Sequence, residues 1–580
     1  MKPENKSYKN FNIAIYCTVY DVQRMGDSNW LETSFNLLQK YLKVNKVYLE
    51  THRNLVVADK KLVQKVKKFF ESRGVKTSGG ITTTIVSERG RFETFCYSNP
   101  EHREKLEKIA RYTAELFDEV ILDDFFFTNC KCERCIEAKG KKSWTSFRLE
   151  QMEEASQNLV IKPAKEVNLD VNLIIKYPNW YDHFQFLGYH LEAEPKLFDM
   201  IYTGTETRDP EYSQQHLQQY QSYGIMRYFE NVKPGKNGGG WIDPFGRRNL
   251  DRYAEQIQLT LFAKAKEVTL FCYSVLFESV KQADGSSKPV SSVAPVAGNV
   301  FENVDSFFDN LGKPYGVSSY KPYHSSGEDF LHNYIGMLGI PIEIVPEFPY
   351  ESSTVFLTEC AKFDEKIVEK IQGQLIKGKT VVITSGLLRA LQGKGIENIV
   401  EVEYTDKKAS VNKFMQFFDV YHSDTDILIP QIKYGTNDSW ETITCLDKGN
   451  GYPLLLQARY ANGVLYILTI PDNFADLYHL PQETLTYIKH VIMKDSPVQV
   501  ESPSKVCLFT YDNDTFIVES FLPHFTRCNI IINKKGAKLH DLTLTNEMPF
   551  HRETSGFERD NSTVFQAFLQ PHSYHVYRFE

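Results

Sequence analysis

The sequence predicts an α/β protein: a (β/α)8 barrel, then a smaller open α/β sheet, then a short antiparallel β domain. Three observations carry this. Up to about residue 310 the chain alternates apolar strand-like runs with amphipathic helical stretches. Residues 319–494 repeat the alternation with shorter runs. The remaining residues carry only short alternating runs between turn signals. The expected domains are therefore 1–318, 319–495 and 496–580.

The barrel strands are read in order at Asn12–Cys17, Lys46–Glu50, Gly79–Val86, Glu119–Asp123, Val171–Lys176, Met200–Thr203, Ile225–Phe229 and Val268–Cys272. Helical spacing of apolar residues falls at Leu31–Leu42, Lys61–Ser72, His102–Leu116 and Leu250–Ala265. Eight such units close a barrel whose active site lies at the C-terminal ends of its strands. Ser279–Val293, rich in Ser, Pro, Asp and Gly, reads as a long loop after strand eight, and Phe301–Asn310 as the last barrel helix. In the second domain, strands fall at Ile342–Val345, Thr354–Thr358 and Thr380–Thr384. Asn462-Gly463 between apolar alternations signals a hairpin. The last domain has strands at Lys505–Tyr511, Thr515–Ser520, Cys528–Asn533 and Tyr574–Phe579.

Composition excludes several functions. A net charge of −7 gives no electrostatic drive toward nucleic acid or anionic lipid. No apolar run is long enough for a membrane-spanning helix. The start, MKPENKSYKNF, has no apolar signal core, which predicts a cytoplasmic protein, or a periplasmic one if a signal peptide has been removed. Ten cysteines in 580 residues do not make a disulfide scaffold.

Their positions say more. Cys130-Lys-Cys132-Glu-Arg-Cys135 puts three thiols within one turn of chain after strand four. Thiolates so spaced suit tetrahedral zinc in a closed structural site. Cys96, after strand three, is the candidate fourth ligand; unligated loop thiols are the other reading. Cys360, in Leu357-Thr-Glu-Cys-Ala, lacks the flanking glycine of a nucleophile elbow and reads as buried or incidental.

Carboxylates close several strands: Asp123 and Asp124 the fourth, Glu206 the sixth and Glu230 the seventh. Neighbours in a strand point to opposite faces, so one aspartate of the pair is expected to face the pocket. Carboxyl groups at strand ends four and seven meet the requirement of glycoside hydrolysis. Gly235-Lys-Asn-Gly-Gly-Gly-Trp241 lacks the Ser or Thr of a phosphate loop and reads as a mobile loop carrying Trp241 over a sugar site. Candidate sugar contacts at or past strand ends are His52, Arg53, Lys176, Tyr177, Trp180, Tyr202, Glu206 and Arg208.

These motifs resemble glycoside hydrolase family 42. Cys96-Tyr-Ser-Asn-Pro-Glu-His-Arg-Glu is similar to that family's YCPNSPAYRE stretch. Val120-Ile-Leu-Asp-Asp-Phe with Cys130-Lys-Cys-Glu-Arg-Cys135 is similar to VDNEY…CYCxxC, and Phe229-Glu-Asn-Val-Lys-Pro-Gly235 with Trp241 to MEQxPGxxNW. Family 164 β-mannosidases share the layout. The resemblance implies a barrel, a flavodoxin-like domain used in trimerisation and a small β domain. It implies Asp124 as acid/base, Glu230 as nucleophile, Asp123 near the sugar 2-hydroxyl, and Cys96, Cys130, Cys132 and Cys135 on one structural zinc. Asp124 stands where the family has Glu, and Asp123 where it has Asn, which marks a divergent relative.

The expected function is a retaining, exo-acting hydrolase of β-linked glycosides of plant or host glycans, acting on oligo- or polysaccharide as a homo-oligomer. Two alternatives stand beside it. One is a substrate-assisted N-acetylhexosaminidase using Asp123-Asp124, with Glu230 only binding. The other is a sugar-binding relative without catalysis.

Overall fold

The computed structural model describes residues 7–86, 93–180, 182–246, 248–281, 287–435, 437–544, 546–551 and 561–580. The chain divides into two compact units, the first ending at Asp309 and the second beginning at Asn310.

In the first unit eight parallel strands close on themselves: β1 (Asn12–Cys17), β2 (Lys46–Arg53), β3 (Lys76–Ile81), β4 (Glu119–Leu122), β5 (Asn172–Tyr177), β6 (Met200–Gly204), β7 (Asn237–Ile242) and β8 (Glu267–Phe271). Each pairs with its sequence neighbour, and β1 pairs with both β2 and β8, which closes the ring. The expected barrel is thus present. Its interior is packed with aromatics: Tyr16, Tyr48, Tyr202 and Trp241 sit among Ala14, Ile121 and Ile174, all buried. At the N-terminal rim, Lys46 bridges Glu119 and Glu267, and Tyr48 donates to Glu267. The helices follow their capping signals. Lys60–Glu71 starts where the Asp59 carboxylate accepts from Leu62 N–H, and its buried stripe is Val63, Val66 and Phe70.

The seventh strand departs from the reading of the sequence. Ile225–Phe229 lies inside the helix Gln221–Val232, whose residues from Gln221 to Phe229 are all buried. A short apolar run has the same periodicity in a buried helix as in a buried strand. The strand is instead the glycine-rich segment Asn237–Ile242. Its glycines are required by close approach. A Cβ on Gly239 would stand 2.2 Å from the Glu267 carbonyl oxygen, and one on Gly240 2.3 Å from Thr260 Cγ2. Gly235–Trp241 is therefore no mobile loop over the site.

The segment after strand eight is also more ordered than expected where it is described. Glu278–Lys281 pairs antiparallel with Ser287–Val290, and the last barrel helix starts at Val293. Residues 282–286 of the expected loop lie outside the described residues.

In the second unit, β9 (Val317–Tyr320), β10 (Ile342–Val345), β11 (Thr354–Leu357), β12 (Thr380–Thr384) and β17 (Gly463–Leu468) form a parallel sheet in the order β10-β9-β11-β12-β17. Counted in chain order this is 2-1-3-4-5, the flavodoxin-like arrangement. Between its fourth and fifth strands are inserted four antiparallel strands, β13 (Val402–Gln416), β14 (Asp419–Tyr434), β15 (Ser439–Asp447) and β16 (Asn450–Tyr460), which extend the sheet beyond β17. The β16–β17 hairpin turns on Ala461 and Asn462, with Ala461 left-handed. Gly463 serves packing: a Cβ there would stand 2.5 Å from the Leu375 carbonyl oxygen. Cys360 is buried near the Thr358 hydroxyl.

The C-terminal residues form two antiparallel sheets. One is built on Val506–Tyr511, Thr515–Ser520 and Ser573–Phe579, the other on Val498–Glu501, Thr526–Ile532 and Thr563–Leu569. Pro314–Tyr315 already pairs with Val506–Tyr511, so the second unit begins ahead of residue 318.

Candidate active site

The C-terminal mouth of the barrel holds a buried ionic network. Its centre is Lys176, on β5. Its ammonium is 2.8 Å from Asp124 Oδ2, 3.4 Å from Asp123 Oδ1 and 3.9 Å from Glu206 Oε1. The same nitrogen stands 4.3 Å from the centre of the Trp241 ring beneath it, a cation–π contact. Asp123 and Asp124 lie past the end of β4, in a turn, so strand alternation no longer separates them and both reach the lysine. Asp123, Asp124, Lys176 and Glu206 are all less than 5% exposed.

Two arginines flank this centre. Arg53 places Nε 3.0 Å from both Glu50 oxygens and Nη2 3.0 Å from Asp123 Oδ2. Arg208 grips Asp243, just past β7, through two bonds of 3.0 and 2.6 Å. Both oxygens of Asp243 are thereby engaged. Glu206 differs: its Oε2 is buried with no hydrogen-bond partner among the described residues.

The acidities follow from this wiring. Burial works to raise the Asp123 carboxyl, but Lys176 and Arg53 outweigh it and hold it below its usual value. At Asp124 burial wins. With the charges of Asp123 and Glu206 adding to it and Lys176 opposing, the carboxyl is pushed up to about 7. Glu206 is raised too, by burial first, against the pull of Lys176. Lys176 is raised because its three carboxylates outweigh its burial. The mouth therefore holds one firmly ionised aspartate beside one that carries a proton near neutrality.

The loop after β4 continues to the cysteine cluster. The Sγ atoms of Cys96, Cys130, Cys132 and Cys135 all lie within 4.8 Å of one another. Cys96 Sγ is 3.5 Å from Cys135 Sγ and 3.7 Å from Cys132 Sγ. Thiolates about 2.3 Å from a tetrahedral zinc stand about 3.8 Å apart, so this donor set fits such an ion. The loop between the two sites is tied to the segment after β3, where Thr83 and Thr94 hydroxyls donate to the Phe125 and Phe127 carbonyls.

Comparison with known proteins gives this architecture a family. A family model described as the catalytic domain of a probable glycosyl hydrolase matches residues 2–294. The chain belongs to that family. Two further models match the rest: the second domain of the uncharacterized protein SSO3021 over residues 312–473, and a probable glycosyl hydrolase C-terminal domain over 497–579. SSO3021 itself, from Saccharolobus solfataricus, is 23% identical over 511 residues, which is 80% of this chain and 82% of that protein. Among solved structures, Gan42B, a GH42 beta-galactosidase, aligns over 99% of both chains with a TM-score of 0.65 at 11% identity. The beta-galactosidase of Bacillus circulans sp. alkalophilus aligns over 100% of both at 0.63 and 12%. At such identities the likeness is one of fold. The chain thus shares the three-part architecture of these family 42 enzymes.

The structure redistributes the sites expected from sequence. Asp123, Asp124, Glu206, Arg208, Arg53 and Lys176 come together at the mouth. Glu230 does not. It lies near the C-terminal end of the helix Gln221–Val232 and accepts from Gly235 N–H at 2.8 Å, ahead of β7 and so at the opposite rim of the barrel from Asp124. A nucleophile there could not reach a bond held at Asp124. Tyr202 is not a sugar contact either: its hydroxyl lies inside the barrel near Thr269 and Glu267. His52 is buried against Phe95, with Nδ1 2.7 Å from the Thr82 carbonyl, and burial lowers it to about 4. Trp241 is the floor beneath Lys176, and Trp180 is half-buried just past β5. Sequence reading missed Glu50 and Asp243 as members of the mouth. Asp243 closes the true β7, so locating that strand would have found it.

Proposed function

We propose that this protein is a retaining glycoside hydrolase in which Asp124 is the acid/base and Glu206 the nucleophile. One observation supports the pairing above others: Asp124 and Glu206 share the ammonium of Lys176. The two contacting oxygens therefore lie within about 7 Å of each other, which admits the ~5–5.5 Å of a retaining pair. Asp243 is the less suitable partner because Arg208 occupies both its oxygens.

In this reading the protonated Asp124 delivers its proton to the glycosidic oxygen as the bond to the anomeric carbon breaks. A Glu206 carboxylate oxygen attacks that carbon and forms a glycosyl-enzyme. Asp124, now a carboxylate, takes a proton from water, whose oxygen displaces Glu206. Lys176 keeps the two carboxyl groups in register and sets which of them holds the proton. The substrate class we propose is a β-linked glycoside attacked from its end, in line with the beta-galactosidases that share the fold. We further propose that Cys96, Cys130, Cys132 and Cys135 hold one zinc ion. It would fasten the loops after β3 and β4 and take no part in the chemistry. Assembly into a homo-oligomer through the flavodoxin-like sheet is proposed on the family 42 resemblance.

The test is turnover of a panel of aryl β-glycosides by wild type, Asp124→Asn, Glu206→Gln and Glu230→Gln, all checked for folding. Glu206→Gln should lose at least ~10³-fold in kcat, with azide restoring turnover of an activated substrate. Glu230→Gln should stay within about twofold, as surface substitutions do. Turnover confined to N-acetylhexosaminides and surviving Glu206→Gln would favour the substrate-assisted route, for which Asp123 and Asp124 are both turned toward Lys176. Binding without turnover would make the protein a sugar-binding relative.

A further inference from the structure

We infer that the barrel mouth selects against anionic sugars and takes a neutral or amino sugar. This rests on the mouth being the sugar site.

Among the described residues, Arg53, Lys176 and Arg208 are the basic groups of the network, and Glu50, Asp123, Asp124, Glu206 and Asp243 its acids. Carboxylates exceed cations even when Asp124 carries its proton. Each of these cations also already holds a resident carboxylate. Arg53 places Nε against both Glu50 oxygens and Nη2 on Asp123, and gives a further bond to the Thr82 hydroxyl. Arg208 is clamped on Asp243 and also bonds Gln215. Lys176 is enclosed by three carboxylates and an indole.

A sugar carboxylate, sulfate or phosphate is recognised by a guanidinium fork or an ammonium with free donors. Within this network it would have to share a cation that already holds a carboxylate, among an excess of acids. An uncompensated charge in a partly desolvated site is strongly disfavoured. A hydroxyl or an ammonium group, by contrast, finds acceptors on every side. The buried Oε2 of Glu206 is a further acceptor without a donor among the described residues.

The experiment compares 4-nitrophenyl β-D-glucoside, β-D-glucosaminide (free amine) and β-D-glucuronide, with the matching galacto series. The glucosaminide and glucoside should exceed the glucuronide in kcat/KM by at least ~10-fold at low ionic strength. Asp243→Asn releases the Arg208 fork and should shrink the glucoside-to-glucuronide ratio at least ~10-fold. Glu50→Gln, which releases Arg53, serves if the first variant does not fold. A wild type that prefers the glucuronide, or a ratio unmoved in both variants, overturns the inference while leaving the hydrolase reading intact. If no glycoside is turned over, the hydrolase reading fails by itself. Calorimetric binding of methyl β-glucoside, glucosaminide and glucuronide then decides the charge preference alone, and equal or tighter glucuronide binding overturns it.

Discussion

Replacing Lys176 by Met removes a cation that touches Asp123, Asp124 and Glu206 together, while keeping an unbranched side chain over Trp241. The ammonium lies 2.8 Å from Asp124 and 3.9 Å from Glu206. Unit charges about 4 Å apart at an effective dielectric near 20 interact by about 4 kcal/mol. One pKa unit corresponds to about 1.36 kcal/mol, so even half of that coupling moves each carboxyl by about 1.5 units. The direction is upward, because the lost cation favoured the ionised forms. Asp124, already at about 7, moves to where it no longer gives up its proton near neutrality, and Glu206 is pushed further toward its neutral form, which cannot attack. The assay is the pH profile of kcat/KM on an activated aryl glycoside. The acid limb should shift toward alkaline pH by at least about one unit, and activity at pH 7 should fall by about 10²-fold or more. Lys176→Arg, which keeps the charge, should shift the limb less. Removing one partner from a buried ion pair also costs about 3–5 kcal/mol of stability, so thermal unfolding should register it separately. A folded Lys176→Met enzyme whose limbs coincide with those of wild type would refute the reasoning.

Other consequences are as direct. A buried acid with a raised pKa stabilises the fold fully below its ordinary value and loses that contribution as pH rises through the folded value. The stability of wild type should therefore fall relative to Asp124→Asn between about pH 4 and 7, by up to ~1.4 kcal/mol per unit, read from denaturant melts. Cobalt titration of metal-free protein should give tetrahedral thiolate spectra, and Cys135→Ser should abolish them and lower Tm. If zinc only fastens the loops, kcat of the surviving folded protein will change much less than Tm. Gly239→Ala should destabilise by about 2–3 kcal/mol, because its Cβ would meet the Glu267 carbonyl at 2.2 Å, and circular dichroism melts will show it.

Much of this molecule is legible in its sequence. Six of the eight barrel strands are legible as apolar runs, since parallel strands buried on both faces advertise themselves that way, while the third, Lys76–Ile81, overlaps its expected range of Gly79–Val86 only at residues 79–81. The cysteine cluster was legible because C-x-C-x2-C is a local pattern, and Cys96 needed only the adjacency of β3 and β4. Strand β7 was not legible. Its glycines have poor strand propensity, and what makes them a strand is a crowded neighbourhood of Glu267, Tyr202 and Thr260 that local sequence does not contain. One misplaced strand then moved a catalytic assignment to the wrong rim of the barrel. The roles of Arg53 and Arg208 were half legible: both stand near strand ends, but that each is consumed by a carboxylate is a fact of three dimensions.

The glycine-rich β7 also bears on how the barrel assembles. Each glycine gives up more backbone freedom on ordering than another residue would, by about 0.5–1 kcal/mol. Gly238, Gly239 and Gly240 bring no side chain of their own to a collapsing core; their places are filled by Met200, Tyr202 and Thr260 reaching across from β6 and the helix Leu250–Phe262. Only Trp241 and Ile242 bring apolar side chains from this strand, so its glycine half gains little from early collapse and docks once those partners are in place. Folding should therefore build β1 to β6 first and seat β7 late. Substitutions in that strand would then speed unfolding while leaving the refolding rate nearly untouched.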